Sequence, residues 1–179
     1  MNNLVVITIS GPHGSGKSTI AKAIAKALNL KYVSSGQTFR RLAEESGCDL
    51  ETFSRICEDQ SDIDNKIDQI TIEEAKKGNV VLEGQLASWM AKDFSDFNIF
   101  VTASLDVRVK RIALRDNYDF EKAKLETLIR TKSAVERFKL MYDIDTQNTD
   151  IYDLILKTDR LNKEQCEKIL IAACREIAV

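Results

Sequence analysis

An uninterrupted apolar run, Leu4-Val5-Val6-Ile7-Thr8-Ile9, leads through Ser10 into GPHGSGKST at residues 11 to 19, and this junction constrains the chain more than any other segment. A β-branched run without polar alternation reads as a strand covered on both faces. Beyond the glycines, Ile20, Ala21, Ile24, Ala25 and Leu28 recur at three- and four-residue steps, with Lys22 and Lys26 on the other side, which is the pattern of an amphipathic helix. Strand, glycine loop and helix in that order begin a βαβ unit, so the rest of the chain has to supply parallel neighbours for the first strand.

Four further short runs meet that demand, at Lys31–Val33, Asn79–Leu82, Phe97–Val101 and Tyr152–Leu156. Helical patterns separate them, and the last is bounded by Asn162 and Gln165 in capping-box spacing, with Cys166, Ile169, Leu170, Ala173 and Ile177 on one face. The expected fold is α/β, a doubly wound five-stranded parallel sheet with helices on both faces. With 179 residues, 44% of them hydrophobic, and no Pro/Gly linker, the chain reads as a single domain over 1–179. Cys48, Cys57, Cys166 and Cys174 fit neither metal-ligand spacing nor a disulfide scaffold and read as reduced core thiols.

The loop itself matches GxxxxGK(S/T), the P-loop pattern, in which backbone amides wrap a phosphate at the positive end of a helix. Gly11, Pro12, His13, Gly14, Ser15, Gly16, Lys17, Ser18 and Thr19 are therefore the expected ATP-binding segment. Lys17 is placed to reach the β and γ phosphates, and the Ser18 hydroxyl to ligate Mg²⁺. A formal net charge of -2 supplies no basic excess for a nucleic-acid surface. No apolar stretch is long enough to span a bilayer, and the first ten residues lack the features of a signal peptide. The expectation is a cytoplasmic monomer with no nucleic-acid or membrane partner.

Asn65-Lys66-Ile67-Asp68 resembles a guanine-reading segment, but Ile63, Ile67 and Ile70 around it keep helical spacing and no strand precedes it. Arginines point instead to phosphoryl transfer, where planar, always-charged forks stabilise a transferring phosphate. Arg108, Arg111 and Arg115 share a helical face, and Arg130 and Arg137 lie two turns apart on a second helix. A solvated face paired with Asp106, Asp116, Glu126 and Glu136 is the alternative reading of the same set. After the second strand, Ser34-Ser35-Gly36-Gln37-Thr38-Phe39-Arg40 offers hydroxyls and a cation but no carboxylate. An acceptor that is already anionic needs no general base there, and Arg40 is placed to hold it.

ITISGPHGSGKST, KYVSSGQTFRRLA, NVVLEGQLASWMA, LDVRVKRIALRD, ERFKLMYDID and IYDLILKTD together resemble the nucleoside monophosphate kinases, most closely the compact archaeal-type cytidylate kinases. The resemblance implies ATP- and Mg²⁺-dependent phosphorylation of a small nucleotide acceptor, CMP or dCMP first. It implies a helical insertion binding the monophosphate at about 36–78 and a short lid at about 116–136. It further implies that Ser35 and Arg40 hold the acceptor phosphate and that Glu83 lies near the waters of the magnesium ion. By the same resemblance Arg111 and Arg115 clamp phosphates catalytically, and Arg130 and Arg137 form the pair following the lid. Gln85, expected among the substrate-binding residues, stands where the family commonly has arginine, Ala134 where an acidic side chain often helps read the base, and His13 where proline or serine is more usual. Kinases of UMP or AMP, or a non-catalytic P-loop switch, are the alternatives.

Overall fold

The computed structural model describes residues 4–48, 53 and 61–177. Five parallel strands, β1 Val6–Ser10, β2 Lys31–Ser34, β3 Val80–Glu83, β4 Phe97–Thr102 and β5 Leu154–Lys157, form one sheet in the order β2-β3-β1-β4-β5. Registers run Ile7 against Val81 and Phe97, and Ile99 against Leu154. Every residue of β1 and β3 is buried, which is why both read as continuous apolar runs. Connections leave β1 toward one edge and β4 toward the other, and such a reversal opens a crevice at the carboxyl ends of the strands.

Seven helices are described: α1 Lys17–Leu28, α2 Ser35–Glu45, α3 Ser61–Lys77, α4 Ala87–Met90, α5 Leu105–Asp116, α6 Phe120–Tyr142 and α7 Lys163–Ile177. On one face of the sheet, Ile7, Ile9, Val81, Ile99 and Val101 pack against Ile20 and Ile24 of α1 and Leu170 of α7. On the other, Val6, Val80 and Leu82 meet Ala75 of α3 and Ala87 of α4. Under that second face a buried hydroxyl rack ties α4 to the central strands: Ser88 Oγ lies 2.7 Å from Thr8 Oγ1 and 2.9 Å from Ser10 Oγ. Thr8 Oγ1 also donates to Asn98 Oδ1 at 2.6 Å.

The expected capping box is present, with Asn162 and Gln165 exchanging backbone-to-side-chain bonds of 2.9 Å. The apolar face of α7 is rotated from the expected one. Cys166, Leu170 and Cys174 are buried, whereas Ile169 and Ile177 are exposed, because the i, i+4, i+8 row is the one that meets α1. Asn65–Asp68 lies within α3. Cys48, Cys166 and Cys174 are free thiols; Cys57 lies outside the described residues. The insertion assigned to 36–78 comprises α2 and α3, with part of the connection between them outside the described residues. Its two helices meet through Leu42, Ala43, Phe53 and Ile67. The 116–136 segment begins at the end of α5, turns through Asn117 in the left-handed conformation, and continues into α6, capped by the Asp119 carboxylate on Lys122 N. Among the described residues, none of the helices is long and apolar enough to cross a membrane.

Candidate active site

The GPHGSGKST loop occupies the carboxyl end of β1 and delivers the chain into α1 at Lys17, with Gly16 in a left-handed conformation as its N-cap. Gly14 has φ of 77°, and a Cβ there would stand 2.7 Å from the carbonyl oxygen of Arg108. The loop is thus pressed onto α5 at a point where only glycine fits.

Lys17 is buried and folds back across the loop, its Nζ donating to Pro12 O at 2.8 Å. Burial lowers its pKa to about 8; Glu83 opposes the shift, and Arg108 and Arg115 add to it. An ammonium so poorly solvated gains more from a phosphate than an exposed lysine does. Burial also drives the His13 imidazole down to about 3, with Lys17, Arg130, Arg115 and Arg108 reinforcing the effect. Neutral His13 accepts at Nε2 from the Gln85 side-chain amide at 2.9 Å, which leaves its proton on Nδ1. Gln85 thereby also holds the phosphate loop in this structure. It also lines, with Gly11, Phe100, Ala134, Phe138 and Tyr152, a cavity of about 110 Å³ beneath α6.

Three arginines of α5 take different partners. Arg111 aims Nη1 at the carbonyl oxygens of Gly14 and Ser15, at 3.4 and 3.2 Å, and at Thr158 Oγ1, at 2.9 Å, while Nη2 donates to Thr158 O at 3.1 Å. It buttresses the loop from behind. Arg108 Nη1 donates to His13 O at 3.2 Å. Arg115 forms a bidentate pair with Asp116, both bonds 2.7 Å, close enough to the loop to perturb Lys17 and His13. On α6, Arg130 is exposed and contributes to the fields at both His13 and Asp116. Arg137 lies 3.1 Å from Asp64 of α3.

Glu83 ends β3 with Oε2 accepting from Ser34 Oγ at 2.6 Å and from Tyr32 Oη at 3.1 Å. Among the described residues its Oε1 has no hydrogen-bond partner, and the Ser18 hydroxyl lies exposed at the start of α1, a pair of hard oxygens that suits a hydrated Mg²⁺. At the start of α2, Ser35 packs against Gly84, where a Cβ would come within 2.5 Å of Ser35 Oγ. The exposed Arg40 bends its guanidinium back over Gly36.

Sequence reasoning singled out neither Thr158, which links Arg111 to Ser15 O and Thr102 O, nor Tyr32, and it named Ser34 only among the hydroxyls after β2, not as a residue that carries Glu83. Ser34 and Thr158 share one legible signal: each is a hydroxyl at the carboxyl end of a strand, where the crevice opens.

Residues 6–160 match the model of the cytidylate kinase-like family. A cytidylate kinase of Staphylothermus marinus is 45% identical over 93% of this chain and 94% of its own length. One from Haloarcula marismortui is 45% identical over 87% and 82% respectively. Among solved structures, the shikimate kinase of Bacteroides thetaiotaomicron superposes with a TM-score of 0.64 at 19% identity, covering 96% of this chain and 97% of that one. An uncharacterised protein of Eubacterium ventriosum reaches 0.73 at 18%, covering 96% and 98%. At such low identity the two structures speak for the fold alone.

Proposed function

The chain belongs to the cytidylate kinase-like family, and from that premise we propose that it transfers the terminal phosphoryl group of ATP to CMP or dCMP, giving ADP and CDP or dCDP. The observation that carries the reading is an intact, preshaped phosphate loop in a chain that matches cytidylate kinases over nearly its whole length. An oxygen of the acceptor phosphate forms the new bond to the γ phosphorus as the bond to the β–γ bridging oxygen breaks, and ADP departs. A phosphate monoester has its second pKa near ~6, so the acceptor oxygen is already anionic at neutral pH and no base has to take a proton.

In this reading the loop amides of residues 11–19 hold the donor phosphates, and Lys17 exchanges Pro12 O for them. Ser18 and, through water, Glu83 hold Mg²⁺, which when bound neutralises charge on the donor phosphates. Ser35, Arg40 and Arg137 hold the acceptor phosphate, with Gln85 toward its base, while Arg115 and Arg130 close from the lid. Arg111, expected as a phosphate clamp, has Nη1 and Nη2 on the loop carbonyls and Thr158 in this structure, so in this reading it serves the phosphates by bracing the loop that holds them. The enzyme is read as a cytoplasmic monomer whose partners are small nucleotides.

The test is an acceptor panel with ATP and Mg²⁺, read as ADP and diphosphate formed. CMP and dCMP are expected to lead in kcat/KM, with UMP behind them. A panel led by AMP or GMP rejects the cytidylate reading, and ATP hydrolysis that ignores every acceptor rejects the kinase.

A further inference from the structure

Arg137 and Tyr142, near the carboxyl end of α6, reach across to Asp64, Asn65 and Asp68 of α3, and the phosphate loop takes part in none of these contacts. Asp64 and Asp68 lie one turn apart on α3, on the face toward α6. Asp64 Oδ2 stands 3.1 Å from Arg137 Nε, and Tyr142 Oη donates to Asp68 Oδ2. The side chains of Asp64 and Arg137 are 16% and 30% exposed, so water screens this pair less than the ion pairs on the outer surface.

The way the pair meets is informative. Asp64 approaches the guanidinium from the Nε side, yet off the N–H axis, so Asp64 Oδ2 and Arg137 Nε are both buried without a hydrogen bond. A guanidinium has two forked edges, and engagement at Nε leaves the fork of the two terminal nitrogens for a second anion. A small shift of α6 against α3 would align the inner contact and present the outer fork together. Burial holds the Asp64 carboxyl above its ordinary pKa while Arg137 opposes that shift, as expected of a carboxylate whose one nearby counter-charge is imperfectly placed.

Resting on the kinase reading above, we propose that Asp64 is a positioning residue: it orients Arg137 so that the terminal fork receives the acceptor phosphate, and the Tyr142–Asp68 bond holds the two helices in register for it. Specificity for an anionic acceptor is then assembled across the cleft rather than within one element. Asp64 itself touches no substrate.

A double-mutant cycle in the full-length protein tests this, with CMP saturation at fixed ATP for wild type, Asp64→Asn, Arg137→Ala and the double variant. Asp64→Asn is expected to raise the KM for CMP by roughly tenfold, to leave the KM for ATP within about twofold, and to add nothing in the Arg137→Ala background. Asp64→Glu, which keeps the charge, is expected to recover part of the loss. Thermal midpoints of all five proteins separate positioning from damage to the fold. The inference is overturned if the Asp64→Asn effect is the same size with and without Arg137, if both KM values move together, or if Asp64→Glu is no better than Asp64→Asn. Should wild type transfer no phosphate to CMP, the kinase reading falls and takes this inference with it; an active wild type with an additive cycle removes the inference alone.

Discussion

Lys17 shows how one side chain is prepared by its surroundings. Folded, it titrates near 8, against about 10.5 in an unfolded chain, because burial disfavours the ammonium. The folded state therefore releases its proton first as pH rises. Between about 8 and 10.5 the unfolded chain binds the extra proton, so this residue's contribution to stability increases with pH across that window. Phosphate binding has the opposite dependence, since it requires the charged form. The dissociation constant of ATP is accordingly expected to rise above about pH 8, and titration calorimetry from pH 6.5 to 9.5 measures it. A flat profile would contradict the burial of this ammonium. Lys17→Ala is expected to lower turnover by ~100-fold or more while shifting the thermal midpoint by only a few degrees, because the buried charge it removes is itself costly. A variant with near-normal turnover would remove Lys17 from the mechanism. His13, neutral down to about pH 3, supplies no step near its ordinary pKa in the same profiles.

Between elements, the informative contacts are those that join segments far apart in the chain. Arg111 reaches from α5 to the loop carbonyls and to Thr158 beyond β5, and Arg111→Ala leaves those acceptors without their donor. A loss of about 1–3 kcal/mol in chemical unfolding is expected. Arg111→Lys should recover little of it, because an ammonium cannot fork toward two directions; full recovery would show that charge alone suffices. Asp68 is raised to about 6, mainly by burial, with Asp64 adding to the shift and Tyr142 and Arg137 opposing it. The unfolded chain loses this proton near 3.8, so between about 3.8 and 6 the folded state holds the proton that the unfolded state lacks, and stability falls as pH rises. Urea midpoints of Asp68→Asn should lack that decline. Parallel curves for wild type and variant would dismiss it. The α5 spacing showed that Arg108, Arg111 and Arg115 share a face, but no periodicity says what a face is packed against. Nor could the 72 residues between Asp64 and Arg137 be bridged by pattern reading.

For the molecule as a whole, the strands were legible because a sheet buried on both faces leaves continuous apolar runs, and the phosphate loop because few other structures need glycines in that spacing. Legibility fades over the lid. Leu114, Leu125, Leu128 and Ile129 are exposed in the structure, so the apolar positions of α6 do not trace its buried stripe of Ala123, Thr127, Ala134 and Phe138. Exposed apolar residues close to Arg115 and Arg130 suit a segment that moves on ligation. With a bisubstrate analogue bound, amide exchange over 114–130 is expected to slow more than over 131–142, which already packs on Leu86 and Trp89. Equal or absent protection would leave the lid arginines as a solvated face. The bond between Arg111 and Thr158 also bears on synthesis. A ribosome that has translated the donor loop and three of its flanking strands has not yet released the residue that completes the brace. Nascent chains stalled before residue 158 should emerge folded in part yet unable to retain nucleotide, so competence for ATP would be among the last properties this polypeptide acquires.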